Sequence, residues 1–518
     1  MNLEGMRRYE NDDIVDAVVI GTGAGGAPLL ARLATAGAHV VALEAGRNWT
    51  PEEFPSDELA ASGIYWLGER LSAGETPNAF GANNSGTGVG GSTLHWGAFC
   101  PRPDAHQFRL RSEFGVGVDW PFAYDELVPY LQRVEAFIGV SGPESYPWDV
   151  ARRYPLPPVA RNAPAQLLKR ACDALGVRAT DAPVAVASQN FAQDGAEERP
   201  ACINCGACHQ GCRIGAKASM DVTYLPLAVR AGAEIRPECV AYEFTYDASG
   251  EIVAVIYRDA AGLERRQRCR AVFLCAGAIE TPRLLLHLGI ANSSGQIGRN
   301  YMAHVATQVW GTFADETRPN KGYPSSLITE DFLRPADADF VGGYVAQSLG
   351  MVPVTWGQQV ARARGLWGRP LVDYLQTYNH AAGIGINGDC LPQDGNYVEL
   401  ADETDAHGMR KARIHFTAGT NEVRMKRHAE RLMTALWTEA GASDIWSANR
   451  YAHTIGTCRM GIDPAHAVVD GTGRSFDVPN LWVCDNSVFP SALAANPALT
   501  IMALGLRTAE TFLREARA

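Results

Sequence analysis

The sequence predicts an α/β fold in which a Rossmann-like dinucleotide-binding domain is joined to a mixed α+β domain. Three observations carry this. A strand, a glycine-rich turn, a helix and a second strand follow one another within the first 45 residues. Short apolar runs of strand character recur far downstream, at 252–257, 271–275 and 481–485. The chain has 518 residues, and at roughly 150 residues per domain that implies two or three domains.

Asp16 to Ile20 reads as the first strand. It runs into Gly21, Gly23 and Gly26, a G-x-G-x-x-G turn. A helical stretch from Pro28 to Thr35 follows, with Pro28 in the first turn, where its missing N–H costs nothing. Gly37 ends the helix, and His39 to Leu43 forms a second strand that runs into Glu44. In such a unit the first glycine makes the tight turn. The second lets a pyrophosphate touch backbone, and the third lets helix pack on strand. An acid at the position of Glu44 accepts hydrogen bonds from a ribose diol. The motif by itself does not separate NAD from FAD.

Further along, 81–97 reads as a glycine-rich loop and 121–140 as an amphipathic helix. The proline-rich stretch 141–164 reads as a linker, Pro282 to Leu288 as a helix after the strand 271–275, and 497–512 as a last helix. Residues 305–450 carry no motif. Trp310, Trp356 and Trp367 in that stretch are either sugar-stacking platforms or core.

With 46% apolar and 20% charged residues the chain is globular. A net charge of −11 without a basic run argues against nucleic acid and anionic membrane surfaces as partners. The longest apolar run, Pro497 to Leu506, ends at Arg507. It falls short of the roughly 20 residues a membrane span needs. Arg7 and Arg8 are followed by Tyr9 to Asp13 where a signal peptide places its apolar stretch. The expectation is a chain that is cytoplasmic by its own sequence, and periplasmic if an exported partner subunit carries it.

Four segments together carry a resemblance. They are Gly86 to Gly97 (GTGVGGSTLHWG), His453 to Gly461 (HTIGTCRMG), Asn480 to Pro490 (NLWVCDNSVFP) and Ala495 to Met502 (ANPALTIM). With the N-terminal fingerprint and Leu274 to Leu286 they resemble the glucose–methanol–choline (GMC) family of FAD-dependent oxidoreductases. The branch they resemble most holds pyranose oxidase and the gluconate and glucoside dehydrogenase catalytic subunits. The resemblance implies a discontinuous FAD-binding domain over 12–120, 216–304 and 448–518. The substrate-binding domain would take 121–215 and 305–447, with a cysteine-rich segment at 200–217.

It also implies oxidation of a CH–OH group, of a sugar or similar alcohol, with hydride passing to flavin N5. His453 matches the family's base and Asn496 its hydrogen-bonding partner. A histidine suits the base because its pKa lies near neutrality. The bland readings are a satisfied structural histidine and an Asn-Pro turn. Gly91, Ser92, His95, Asp485, Asn496 and Pro497 would face the cofactor beside Gly21, Gly23, Gly26 and Glu44. Asp485 also reads as a helix cap. Pyranose oxidases bond a histidine followed by tryptophan to the flavin 8α carbon. His95-Trp96 stands at the matching offset, with a simple packing histidine as the other reading.

Cys202, Cys205, Cys208 and Cys212 form C-x2-C-x2-C-x3-C, the spacing of a bacterial ferredoxin loop. Cys202, Cys208 and Cys212 also resemble the 3Fe-4S ligands of FAD-dependent glucose dehydrogenase subunits. A 3Fe-4S or 4Fe-4S cluster, a zinc site and purely structural cysteines all remain open at this point. The other eight cysteines read as small buried residues. A cluster would pass electrons to a small subunit and a haem or quinone acceptor. The competing readings are an oxygen-using oxidase without a cluster, a non-catalytic FAD electron-transfer subunit, and an NAD(P)-dependent enzyme.

Overall fold

A computed structural model describes residues 1–66, 70–77 and 85–516. Residues 81–84 of the predicted glycine-rich loop lie outside these. The first sheet is parallel throughout, in the order Leu481–Val483, Val272–Leu274, Ala17–Ile20, Val40–Leu43 and Glu234–Arg236. The strands at 17–20, 40–43 and 272–274 read in the sequence are all present. Each is short, apolar and buried, as expected of strands covered on both faces.

The helix Gly26–Thr35 makes the crossover and buries Leu29, Leu30 and Leu33. Each such side chain contributes about 1.5–3 kcal/mol. The last helix, Pro497–Glu515, runs along it. A Cβ on Gly505 would stand 2.7 Å from the Gly25 carbonyl oxygen, so only glycine permits this approach. From the central strand the chain steps to Val40–Leu43 on one side, and Val272–Leu274 lies on the other. This is the switch point outside whose carboxyl ends open α/β sheets bind ligands.

The helix after Val272–Leu274 begins at Gly277, five residues before the sequence suggested. Its start is capped from elsewhere. The Gly277 N–H donates to Asp485 (2.8 Å) and the Ala278 N–H to Asn486 (3.2 Å).

The motif-free stretch 305–450 supplies most of a second, eight-stranded sheet. Its centre, Ala381–Gly388, is buried along its whole length. Ala382, Ile384 and Ile386 pack under the helices Ala163–Ala174 and Thr420–Glu439 in one apolar cluster. Gly383 and Gly385 face the other way, where Cβ atoms would meet Trp310 (2.9 Å) and Leu349 (2.7 Å). Trp310 and Trp356 are therefore core, and Trp367 is 82% exposed. None of the three lines the main cavity, so the sugar-platform reading is corrected. Among the described residues no helix is long and apolar enough to cross a membrane.

Candidate active site

One cavity of about 1940 Å³ runs from the parallel sheet to the mixed sheet. Ligand pockets commonly measure about 300–1,000 Å³, so an extended dinucleotide and a substrate fit together. Gly21, Gly23, Glu44, Gly91, Ser92, His95, Asp485, Asn496, Pro497 and His453 all line it. Gly26 lies just behind the wall. A Cβ there would come within 2.0 Å of the Gly21 carbonyl oxygen and 3.2 Å of the Cys275 side chain, so its role is helix-to-strand contact. Gly21 holds φ +101°, and a Cβ would meet the Cys275 carbonyl oxygen at 2.4 Å. At Gly23 the nearest atom to an added Cβ is 3.8 Å away. That face is open to the cavity, and its backbone is what a phosphate could approach. The cradle fits a dinucleotide.

Glu44 is buried at the end of its strand. It accepts from Thr22 N (3.0 Å), Thr22 Oγ1 (2.8 Å), Gly46 N (3.0 Å) and Gly88 N (3.4 Å). Burial pushes its pKa up. A carboxylate offers about four accepting directions. Glu44 therefore first ties three loops together, and a ribose diol would share oxygens already engaged. Asp485 accepts from Gly277 N, Thr281 Oγ1 (2.6 Å) and Ser487 N (2.8 Å). The capping reading thus holds, at a position that also faces the cavity.

At the mixed-sheet end stand His453 and Asn496. His453 lies on the strand Tyr451–Ile455, opposite an irregularity in the pairing with Met302–Val305. Its φ is +62°, a left-handed conformation that costs a non-glycine residue about 1–3 kcal/mol. The irregularity brings its ring against His304, which the sequence reading missed. The two rings are edge-on with centroids 5.0 Å apart, and the Nδ1 atoms are 2.8 Å apart. His304 Nε2 lies 3.0 Å from the Ala492 carbonyl oxygen.

This chain of contacts fixes the protons. A carbonyl only accepts, so His304 Nε2 carries a hydrogen. Burial pulls the His304 pKa down to about 4, so the ring is neutral and its Nδ1 is a lone pair. His453 Nδ1–H must donate to it. Burial, then the His304 ring and the Arg450 charge, hold His453 well below the usual histidine range. It too is neutral, which leaves a lone pair on Nε2, the nitrogen the pair does not use.

Asn496 precedes the last helix, and its Oδ1 accepts from Asn387 Nδ2 at 2.9 Å. With the oxygen engaged, what Asn496 offers the cavity is its NH2 group. Asn387, on Ala381–Gly388, was also missed in the sequence.

His95 packs edge-on to Tyr65, with centroids 5.0 Å apart. Its carbonyl accepts from His209 Nδ1 at 2.9 Å. His209 belongs to the cysteine run and lines the same cavity. Burial lowers its pKa to about 4. Buried Lys217 donates to the carbonyls of Leu94 (2.8 Å), Trp96 (3.2 Å) and Cys208 (2.5 Å). The cysteine run is thereby fastened to the loop that carries His95.

The expected metal set of Cys202, Cys205, Cys208 and Cys212 is not formed. All four line a small pocket of about 20 Å³ beside Lys217 and Tyr323. Yet among the described residues no three His, Cys, Asp or Glu side chains are placed to hold a metal ion together. Left-handed turns at Asn204 (φ +56°) and Gly206 (φ +78°) leave Cys205 exposed while the other three are partly buried. Burial raises the Cys208 thiol to about 12. The residues as placed do not fit an iron–sulfur cluster or zinc. The remaining eight cysteines are all buried, as expected.

A phosphate cradle at a parallel-sheet switch point, sharing one cavity with a neutral histidine pair, defines a nucleotide-cofactor oxidoreductase. The chain belongs to the GMC oxidoreductase family, whose N-terminal model matches residues 69–306 and C-terminal model residues 392–505. It is an FAD-dependent oxidoreductase acting on CH–OH donors. It is 29% identical to 2-methyl-1,2-propanediol dehydrogenase of Mycolicibacterium austroafricanum, over 97% of this chain and 96% of that one. It is 28% identical to the fructose dehydrogenase large subunit of Gluconobacter japonicus, over 96% and 98%. A solved formate oxidase shares the fold, with a TM-score of 0.73 at 16% identity over 98% of this chain and 100% of the other.

Proposed function

We propose that the chain oxidises a CH–OH group of a sugar or other polyol-like alcohol, with His453 as proton acceptor and Asn496 as its partner. The observation that carries this is the His304–His453 contact, which leaves an unprotonated Nε2 on a cavity-lining histidine. His453 Nε2 takes the hydroxyl proton. The Asn496 amide donates to the same oxygen and orients the carbinol. His304 holds His453 in the required tautomer and takes no part in the transfer. FAD held in the cradle supplies the hydride acceptor, so the alcohol leaves as a carbonyl compound.

The polyhydroxy substrate class is supported by the names of the diol and fructose dehydrogenases above and by amide groups on the substrate wall, Gln308 and Gln347 among them. We assign the electrons to a partner acceptor. The support is that one relative is named as the large subunit of a dehydrogenase. Anaerobic mixing of FAD-loaded protein with sugars and diols tests the first part, and the expected result is bleaching of the flavin. Reoxidation of the bleached protein tests the second. Faster reoxidation by a soluble quinone than by air-saturated buffer is expected. Oxygen outpacing quinone would favour the oxidase reading.

The site also sets the pH profile. A base works while unprotonated, and a lowered pKa extends that range toward acid. The rate of flavin reduction should therefore pass through pH 6.5 without an inflection and fall only at lower pH. An inflection near 6.5 in stopped-flow reduction would mean that His453 titrates as an ordinary exposed histidine.

A further inference from the structure

Arg450 stands in the turn between Ser443–Ala448 and Tyr451–Ile455, three residues before His453. Its carbonyl accepts from Ala306 N at 3.0 Å, which pins the turn. Its side chain lines the main cavity and is partly buried. Other inward arginines are matched by carboxylates. Arg70 meets Glu280, Arg152 meets Glu135, Arg236 meets Glu234, and Arg283 meets Glu280 and Asp405. Arg199 donates instead to backbone carbonyls, including that of Ala216 at 3.1 Å. Among the described residues no acid or carbonyl is paired with the Arg450 guanidinium. Burial lowers its pKa to about 10, and the one charge acting on it is another cation, Arg362, which stands on the same cavity wall. The Arg450 charge in turn depresses both His453 and His209.

Arg450 is partly buried at the cavity wall, where a cation stripped of part of its hydration gains by meeting an anionic partner. In a chain of net charge −11, Arg450 and Arg362 place two cations on the lining of the cavity that holds His453. Guanidinium is planar and binds carboxylate through two parallel hydrogen bonds.

We propose that Arg450 binds a carboxylate of the substrate, so that the alcohol oxidised at His453 belongs to a sugar acid or other polyhydroxylated carboxylate. This rests on the reading of His453 as base and narrows its substrate class. Arg362 adds attraction at the same wall. Arg450 and His453 are three residues apart and line the same cavity, so the carboxylate and the reacting carbinol belong to one small molecule.

The test titrates FAD-loaded protein with acetate and with its neutral isostere acetamide, following the flavin spectrum. Acetate is expected to bind roughly 10- to 100-fold more tightly, the range for a charge-assisted hydrogen bond, and Arg450→Met should remove the difference. Acetate binding no tighter than acetamide in the unaltered protein would overturn the proposal, and needs no variant. So would equal acetate affinity in Arg450→Met protein that retains FAD. A His453→Ala arm separates the two claims. It should keep acetate binding while losing reduction by alcohol, and normal reduction in that variant would sink the base assignment whatever acetate does.

Discussion

Replacing His453 with alanine should slow anaerobic reduction of the flavin by alcohol about 10²–10⁴-fold, the range for a lost general base. FAD content should not change. The cradle lies at the parallel sheet, and His453 stands at the mixed-sheet end of the cavity. Alanine must still adopt the φ of +62° that His453 holds, so the strain stays while the chemistry is lost. Stopped-flow reduction with a flavin-to-protein absorbance ratio checks both halves. Near-normal reduction would place the base elsewhere.

Two glycine variants should separate folding from cofactor binding. Gly23→Ala puts a methyl group on the cavity floor, with nothing of the protein nearer than 3.8 Å. The apo-protein should melt as before, while FAD affinity falls about 10- to 100-fold as charge-assisted phosphate contacts are displaced. Gly21→Ala should do more. It forces alanine into φ +101° with its Cβ 2.4 Å from the Cys275 carbonyl oxygen. Left-handed strain of about 1–3 kcal/mol and a similar overpacking cost would lower both Tm and FAD content. Retained flavin after desalting, read with the apo-protein melting temperature, distinguishes the two. Full FAD retention in Gly23→Ala would show that the phosphate passes elsewhere.

The sequence makes legible what is local. The first βαβ unit is written in consecutive residues, so its strands, its helix and the functions of Gly21 and Gly26 follow from period and turn chemistry. His453 and Asn496 become visible through their flanking motifs, and both line the cavity. His304 and Asn387 have no such flanks. Each is a single polar residue in an apolar strand, and each acts through a partner 149 or 109 residues away. Only the strand pairing brings them in. The early start of the helix at Gly277 has the same origin, since its cap comes from Asp485, 208 residues downstream. The cysteine run shows the opposite failure. Spacing alone suggested a ligand set, but two left-handed turns and a buried lysine decide where the thiols stand.

The base role of His453 depends on the protonation of the histidine pair, and a neutron structure at neutral pH reads it directly. It should show hydrogen on His304 Nε2 toward the Ala492 carbonyl, hydrogen on His453 Nδ1 toward His304, and none on His453 Nε2. Hydrogen on His453 Nε2, in a neutral or a charged ring, would contradict its assignment as the waiting base.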